Sequence, residues 1–281
     1  MKDIYIINKA GEKEIFSEDK IYKSIRRVGA SKKLATEIAA KIKQEVYPGM
    51  TTYEIFDRVE EMLEKEYPRG GIRFRLKEAI RNLGPSGFPF EKYVGAVLEQ
   101  LGFIVELNQF IRGSCVVHEV DILAREKKYC LIGECKLHTL PGGKTDLKIG
   151  LHHYARYLDI EAGGYCKKKF KNLKPRPIVI TNNKFTTKLV QYAECVGLDL
   201  LGWRYPRSRG LEYIIESEKF YPITILPSFQ GDLLEPFAEK KMMLAHDLLK
   251  IDPVEYAKKT GTSKEKIAAL KREAETLLLE E

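Results

Sequence analysis

The chain has 281 residues, of which 31% are charged, and its formal net charge is +8 at pH 7. That length allows two domains of ordinary size, and the positive charge suits a polyanionic partner such as nucleic acid without requiring one. The five cysteines include no CxxC pair, which argues against a disulfide framework and against a zinc site and predicts buried thiols in a reducing compartment.

The N-terminal residues Met1–Lys9 lack the long apolar core of a signal peptide, and the apolar run Ile4–Ile7 within them predicts a short strand. No later stretch approaches the length of a membrane span, so we expect a cytoplasmic protein without a membrane partner. After a turn at Gly11, a helix begins near Ser17, since serine suits the N-cap and two acidic residues follow it.

Three further helices complete the first segment. The second covers Lys32–Gln44, and the third begins at Thr51 or Thr52, where a glutamate has the spacing of a capping box. A fourth helix is predicted over Ile72–Leu83 and ends at Gly84-Pro85-Ser86-Gly87, a strong stop signal. This stop places a domain boundary, so the first domain is expected to cover residues 1–85.

The second segment mixes helices and strands. It opens with a helix over Phe88–Gly102, whose apolar residues follow a helical period. The later elements are predicted at Phe103–Phe110 (strand), Val117–Ala124 (strand), Tyr129–Leu137 (strand), Asp146–Leu158 (helix), Pro177–Thr181 (strand), Thr186–Val196 (helix) and Leu198–Trp203 (strand). This order predicts an α/β domain with a mixed sheet over residues 86–232. A helical tail, interrupted at Gly261–Ser263, is predicted over residues 233–281.

Charged residues interrupt two of these apolar strands. Residues i and i+2 of a strand share a face, so Glu134 and Lys136 project together while Cys135 points the other way. Charges at the ends of apolar strands need a partner, and a divalent metal shared by Asp121 and Glu134 would supply one. The alternative is a strand-end acid beside an exposed ion pair that contributes little energy.

The order of these residues resembles the PD-(D/E)XK nuclease superfamily and, within it, the Mrr-like restriction endonucleases, over about residues 86–205. The matching residues are Phe90-Glu91 on the opening helix, Asp121 on the second strand and Glu134-Cys135-Lys136 on the third. The resemblance implies a restriction-endonuclease-like fold and a DNA endonuclease that depends on Mg²⁺ or Mn²⁺.

Roles for single residues follow from that resemblance. Asp121, Glu134 and the backbone carbonyl of Cys135 would hold the metal, and Lys136 would act on the attacking water or on the developing charge. Glu91 would reach the metal through a water or hold a second ion. For Glu91 the alternative is a first-turn glutamate that only complements the helix dipole.

The first domain resembles the ATP-cone domain, a small, mainly helical regulatory module that binds nucleotides. Lys9, Glu14, Lys20 and Thr52 occupy matching positions, and the turn Asn8-Lys9-Ala10-Gly11 keeps one basic residue and the glycine of the family's turn. The resemblance implies that ATP or dATP binds here. The alternative is a charged surface around a fold that has lost its ligand.

A basic flank follows the strand motif and would neutralise DNA phosphates without reading sequence, unless it is only a solvated loop. Its members are Lys144, Lys148, Lys167, Lys168, Lys169, Lys171 and Lys174. The neighbouring His118, His152 and His153 are expected to be packing or surface residues, and Glu119 a solvent-facing acid.

The two resemblances together imply a metal-dependent DNA endonuclease regulated by ATP or dATP. We expect a homo-oligomer, since cutting both strands with one site per chain usually needs two copies. Two alternatives stay open: a structure-selective nuclease of the Holliday-junction-resolvase type, and a nucleotide-sensing DNA-binding regulator without catalysis.

Overall fold

The computed structural model describes residues 4–8, 11–170 and 173–279, and over these ranges no helix is both long and apolar enough to cross a membrane. The helices are α1 (Glu18–Arg27), α2 (Lys32–Glu45), α3 (Thr52–Glu66), α4 (Pro68–Phe74), α5 (Leu76–Arg81), α6 (Phe88–Gln100), α7 (Leu147–Ala162), α8 (Tyr165–Lys169), α9 (Thr187–Val196), α10 (Leu211–Glu218), α11 (Leu234–Glu239), α12 (Pro253–Thr260) and α13 (Lys264–Leu278). The strands are β1 (Tyr5–Ile7), β2 (Lys13–Ile15), β3 (Ile104–Arg112), β4 (Val117–Arg125), β5 (Tyr129–Lys136), β6 (Lys144–Thr145), β7 (Lys174–Thr181), β8 (Lys184–Phe185) and β9 (Asp199–Leu201).

The chain forms two compact units. The first comprises Met1–Ala79, Ile225–Phe229 and Leu248–Glu281, and the second comprises Ile80–Thr224 and Gln230–Asp247. This division differs from the predicted consecutive ranges 1–85, 86–232 and 233–281, because the C-terminal segment does not form a domain of its own. Within the first unit α13 contacts α4, and Leu270 of α13 is fully buried.

Local signals in the first unit act as the sequence predicted. The Ser17 hydroxyl accepts a hydrogen bond from the Lys20 N–H at 3.3 Å and caps α1. At the start of α3, Thr51 and Glu54 form both hydrogen bonds of a capping box. Side chains of β1, α1, α2 and α3 then share one apolar core, in which Ile25 and Val59 are fully buried.

In place of the single helix predicted over Ile72–Leu83, the structure has two helices, α4 and α5, and the first of them begins earlier, at Pro68. Pro68 suits the first turn of α4, where its missing N–H is not needed. Gly70 lies against the ring of Tyr67 without room for a Cβ, so a residue that normally weakens helices is required here. The break falls at Arg75, whose N–H bonds to the carbonyls of both Ile72 and Arg73 in a tighter turn.

A five-stranded mixed sheet forms the centre of the second unit, in the order β3-β4-β5-β7-β9. The first three strands are antiparallel to one another, and β5, β7 and β9 run parallel. Helix α6 packs on β3 and β4, and α7 packs on β7 and α9. The predicted mixed α/β architecture is confirmed. A separate parallel ribbon of β6 and β8, together with α8 and α10, was not predicted.

The expectation of buried thiols was wrong for most of the cysteines. Cys130 at the start of β5 and Cys166 on α8 form a disulfide, 36 residues apart in sequence. Cys115 and Cys195 are exposed, and Cys135 is half-buried. Sequence spacing carries no sign of this pair, since the helix that holds Cys166 is a single short turn docked beside β7.

Candidate functional site

Asp121 and Glu134 face each other where β4 and β5 separate. The antiparallel register pairs Ile122 with Gly133, so Asp121 and Glu134 form the next opposed positions and share a face of the sheet. The Cys135 N–H donates a hydrogen bond of 2.7 Å to Asp121 Oδ2. The strand pair itself therefore orients the Asp121 carboxylate, and both carboxylates are half-buried.

Three carboxylates influence one another at this place. Burial and the charge of Glu134 raise the pKa of Asp121 to about 6, although the Cys135 N–H and Arg156 oppose the rise. Burial, Asp121 and Glu134 raise the pKa of Glu91, on the first turn of α6, to about 7. The structure thus places Glu91 close enough to the two strand acids for their charges to raise its pKa, and its predicted role at a metal stays a prediction. Their mutual repulsion is relieved by protons or by a cation.

Helix α7 supplies two side chains that sequence reasoning did not assign to the site. Arg156 Nη1 donates a hydrogen bond of 2.6 Å to Glu134 Oε2, and His153 Nδ1 lies 4.0 Å from the same oxygen. Both belong to one helix face, because they are three residues apart. That spacing was visible in the sequence, but nothing in it indicated that this face of α7 covers β5.

His153 is fully buried beneath Glu134. Its Nε2 donates to the Ile132 carbonyl oxygen at 3.0 Å, and burial lowers its pKa to about 4. The imidazole is therefore neutral at pH 7, and its Nδ1 finds no hydrogen-bond partner in the part of the chain that the structure describes. This packing role agrees with the expectation for His153, and the sequence pattern does not indicate its closeness to Glu134.

Lys136 ends β5 with an exposed side chain, and Glu119 is also exposed. The Thr181 hydroxyl donates to the Lys136 carbonyl oxygen at 2.7 Å and fixes the backbone there. Lys136 lies at the same strand end as Glu134, as the i, i+2 spacing predicted. Its side chain is exposed, whereas the two carboxylates are half-buried.

The chemistry of these side chains decides whether the site suits a divalent cation. Carboxylate oxygens are the ligands that Mg²⁺ prefers, and Mg²⁺ is commonly held by only one or two of them, with waters completing its shell. Asp121 and Glu134 meet that requirement, and the raised pKa of Asp121 and the like charges of the two carboxylates favour a cation. No three His, Cys, Asp or Glu side chains within residues 4–8, 11–170 and 173–279 converge as a ready-made ligand set. Arg156 already bonds one oxygen of Glu134, so a bound metal shares that carboxylate with the guanidinium.

A second candidate site is a cavity of about 290 Å³ in the first unit. Its lining includes Glu14, Lys20 and Thr52, three of the four residues predicted to bind a nucleotide. The fourth, Lys9, lies outside the described residues. Lys20 Nζ is 3.6 Å from Glu14 Oε2. The Thr52 hydroxyl is buried and has no hydrogen-bond partner among the residues described, which leaves a polar group for a ligand to satisfy.

Two further basic residues of α1, Lys23 and Arg27, also line this cavity. With Lys20 they lie at positions i, i+3 and i+7, so the three cations share one helix face. Sequence reasoning assigned only Lys20 to the site, although the helical spacing of the other two was readable. Three cations beside an orphan hydroxyl suit the phosphates of a nucleotide.

Comparison with known proteins places two regions of the chain. Residues 4–77 match the ATP cone domain, and residues 221–278 match the C-terminal region described as AF1548-like. A curated protein of Archaeoglobus fulgidus, described as uncharacterized, is 35% identical over 153 residues, which is 54% of this chain and 82% of that protein. The crystal structure of AF1548, described as a protein of unknown function, matches with 32% identity and a TM-score of 0.59, covering 68% of this chain and 98% of that one.

Proposed function

The chain belongs to the AF1548-like family and carries an N-terminal ATP-cone domain, and from the residues of its candidate site we propose that it is a Mg²⁺-dependent DNA endonuclease of the PD-(D/E)XK type, regulated by ATP or dATP. The observation that carries the proposal is the carboxylate pair Asp121 and Glu134, which lies where the paired strands β4 and β5 separate, with Lys136 beside it. Glu91 joins the same field, and burial raises the pKa of both Glu91 and Asp121.

Each residue has a task in phosphodiester hydrolysis. Mg²⁺ held by Asp121 and Glu134 would neutralise charge on the phosphate and acidify a bound water. The Cys135 N–H holds Asp121 in place, and Arg156 holds Glu134. The exposed Lys136 ammonium is able to approach the attacking water or the phosphate oxygens.

The nucleotide part of the proposal is supported by the cavity of the first unit. Lys20, Lys23 and Arg27 provide positive charge for phosphates, and the buried Thr52 hydroxyl provides an unused hydrogen-bonding group. A ligand that binds only the folded state stabilises it, so nucleotide binding there is measurable without any assumption about cleavage.

Cleavage of supercoiled plasmid DNA tests the enzymatic proposal. We expect nicking or linearisation with Mg²⁺ and none with EDTA. Asp121→Ala and Lys136→Ala should each lower the rate by roughly 100-fold or more, the usual range for loss of metal-assisted or acid–base catalysis. Glu126→Ala and Lys127→Ala, at the exposed turn between β4 and β5, are the matched charge controls and should cut normally. Wild-type activity in both site variants would overturn the assignment.

A further inference from the structure

The β6/β8 ribbon has two different faces. Its parallel register pairs Lys144 with Lys184 and Thr145 with Phe185. Both lysines are exposed, whereas Thr145 is buried and Phe185 is half-buried. Opposed residues of neighbouring strands project to the same side, so the two ammonium groups are presented together to solvent.

Like charges directly opposite each other destabilise a strand pair. Neither Lys144 nor Lys184 forms an ion pair with any acidic residue in the described part of the chain. Other members of the predicted basic flank are placed differently. Lys169 Nζ already bonds Glu106 Oε2 at 2.9 Å, and Lys174 pairs with Tyr129 at the opposite end of β5 from Lys136. Lys171 lies outside the described residues.

A chain of hydrogen bonds ties this ribbon to the strand that ends in Lys136. The His138 Nε2–H donates to the Thr145 hydroxyl at 2.9 Å, and that hydroxyl donates to the Thr181 hydroxyl at 3.1 Å. The Thr181 hydroxyl in turn donates to the Lys136 carbonyl oxygen at 2.7 Å. The ribbon's position relative to Lys136 is therefore set by buried, directional contacts and not by a loose loop.

The segment that leads into the ribbon is also fastened. Asn182 Oδ1 accepts from the His138 N–H at 2.8 Å, and Asn182 Nδ2 donates to the His138 carbonyl oxygen at 2.9 Å. Asn182 is itself buried, at 3% exposure, so this double contact is shielded from water. The ribbon therefore holds two neighbouring lysine side chains, neither of them neutralised by an acidic residue that the structure describes, on a rigid backbone. Such a pair is suited to binding an anion at a fixed position.

We propose that Lys144 and Lys184 together bind a phosphate of the DNA backbone next to the Asp121, Glu134 and Lys136 site, and so hold the duplex in position for cleavage. This rests on the proposed function and names the surface that takes its substrate. Two ammonium groups on one anion add affinity without reading sequence, because they contact only the backbone.

Duplex binding without cleavage tests the proposal. Fluorescence anisotropy of a labelled duplex is measured in EDTA over a series of KCl concentrations, for wild type and for the double variant Lys144→Ala, Lys184→Ala. Loss of one phosphate contact makes the slope of log K against log salt shallower by about 0.9 and weakens binding roughly tenfold at 0.1 M salt. The matched double variant Lys127→Ala, Lys128→Ala, at the opposite end of β5, should bind like wild type. The double variant Lys144→Arg, Lys184→Arg keeps both positive charges and should show the wild-type slope.

The outcomes separate this surface from the enzyme assignment. If the Lys144→Ala, Lys184→Ala protein shows an unchanged slope and affinity while the wild type binds DNA normally, only the proposed phosphate binding by the ribbon is overturned. A wild-type protein that binds no duplex at any salt would overturn the proposed function and the ribbon with it. Because both lysines are exposed and repel each other, the melting temperature of the double variant should be unchanged or higher, which checks that its fold is intact.

Discussion

Glu60 on α3 carries a shifted carboxyl group in the first unit. Burial raises its pKa from 4.5 to about 7, and Glu64, Glu78 and Asp57 add to the rise, while Arg75 opposes it. Arg75 Nη1 lies 3.1 Å from Glu60 Oε1, and the Glu60 side chain is 24% exposed. The ion pair is thus too weak to compensate for the lost hydration and the neighbouring acids.

This shift predicts a pH dependence of stability with a definite sign. Between the unfolded pKa of 4.5 and the folded pKa of about 7, the folded state holds more protons than the unfolded state, so the free energy of unfolding falls as pH rises. At 1.36 kcal/mol per pKa unit the loss is at most roughly 3 kcal/mol. Urea unfolding at pH 5 and pH 8 measures it.

Glu60→Gln should remove the share of this loss that comes from Glu60, because the amide does not titrate, and should leave the share that comes from the raised pKa values of Asp121 and Glu91. Glu61→Gln, at the exposed neighbouring position, should keep it. Equal pH dependence in the wild type and in Glu60→Gln would show that the shift lies on another group.

The first turn of α3 affects both the stability of the folded protein and its binding of a ligand, through the side chain of Thr52. The Thr52 hydroxyl is buried there without a partner among the described residues, and a buried unsatisfied group costs about 1–3 kcal/mol. Thr52→Val should therefore leave the ligand-free protein as stable as wild type or about 1 kcal/mol more stable, and should weaken nucleotide binding.

Thermal denaturation with ATP and dATP measures both effects of that substitution. Nucleotide at 100 times its dissociation constant stabilises a folded protein by about 2.7 kcal/mol. Wild type and Thr36→Val, which changes an exposed threonine of α2, should show this shift, and Thr52→Val should show less. A full shift in Thr52→Val would remove the hydroxyl from the nucleotide site.

Elements with strong local patterns were predictable from the sequence, and elements defined by tertiary contacts were not. Helices α1 and α3 carry caps and acidic first turns, and β4 and β5 carry apolar alternation. The two-residue strands β6 and β8 and the five-residue helix α8 are too short for any period to appear.

The same distinction holds inside the candidate site. Asp121, Glu134 and Lys136 stand in a short motif, so their neighbourhood followed from strand geometry. Arg156 reaches Glu134 across 22 residues of sequence, and only the packing of α7 on the sheet brings them together. Lys144 and Lys184 likewise meet only through the register of the ribbon.

At the scale of the whole molecule, the chain order and the compact units do not coincide. The polypeptide leaves the first unit after Ala79 and returns to it for Ile225–Phe229 and again from Leu248. Ser228 illustrates the return, since its N–H donates to Glu273 Oε2 of α13 at 3.0 Å within the first unit. The AF1548-like C-terminal region, residues 221–278, therefore contributes to both units, and the ATP-cone domain shares its unit with the end of the chain.

The proposed nuclease activity depends most on whether Asp121 and Glu134 bind a divalent cation. Isothermal titration of Mg²⁺ and Mn²⁺ into metal-stripped protein tests this directly, with Asp121→Ala as the site variant and Glu126→Ala as the control. We predict saturable binding in the wild type and in Glu126→Ala, and none in Asp121→Ala. Absence of binding in the wild type, or equal binding in Asp121→Ala, would contradict the metal-dependent nuclease.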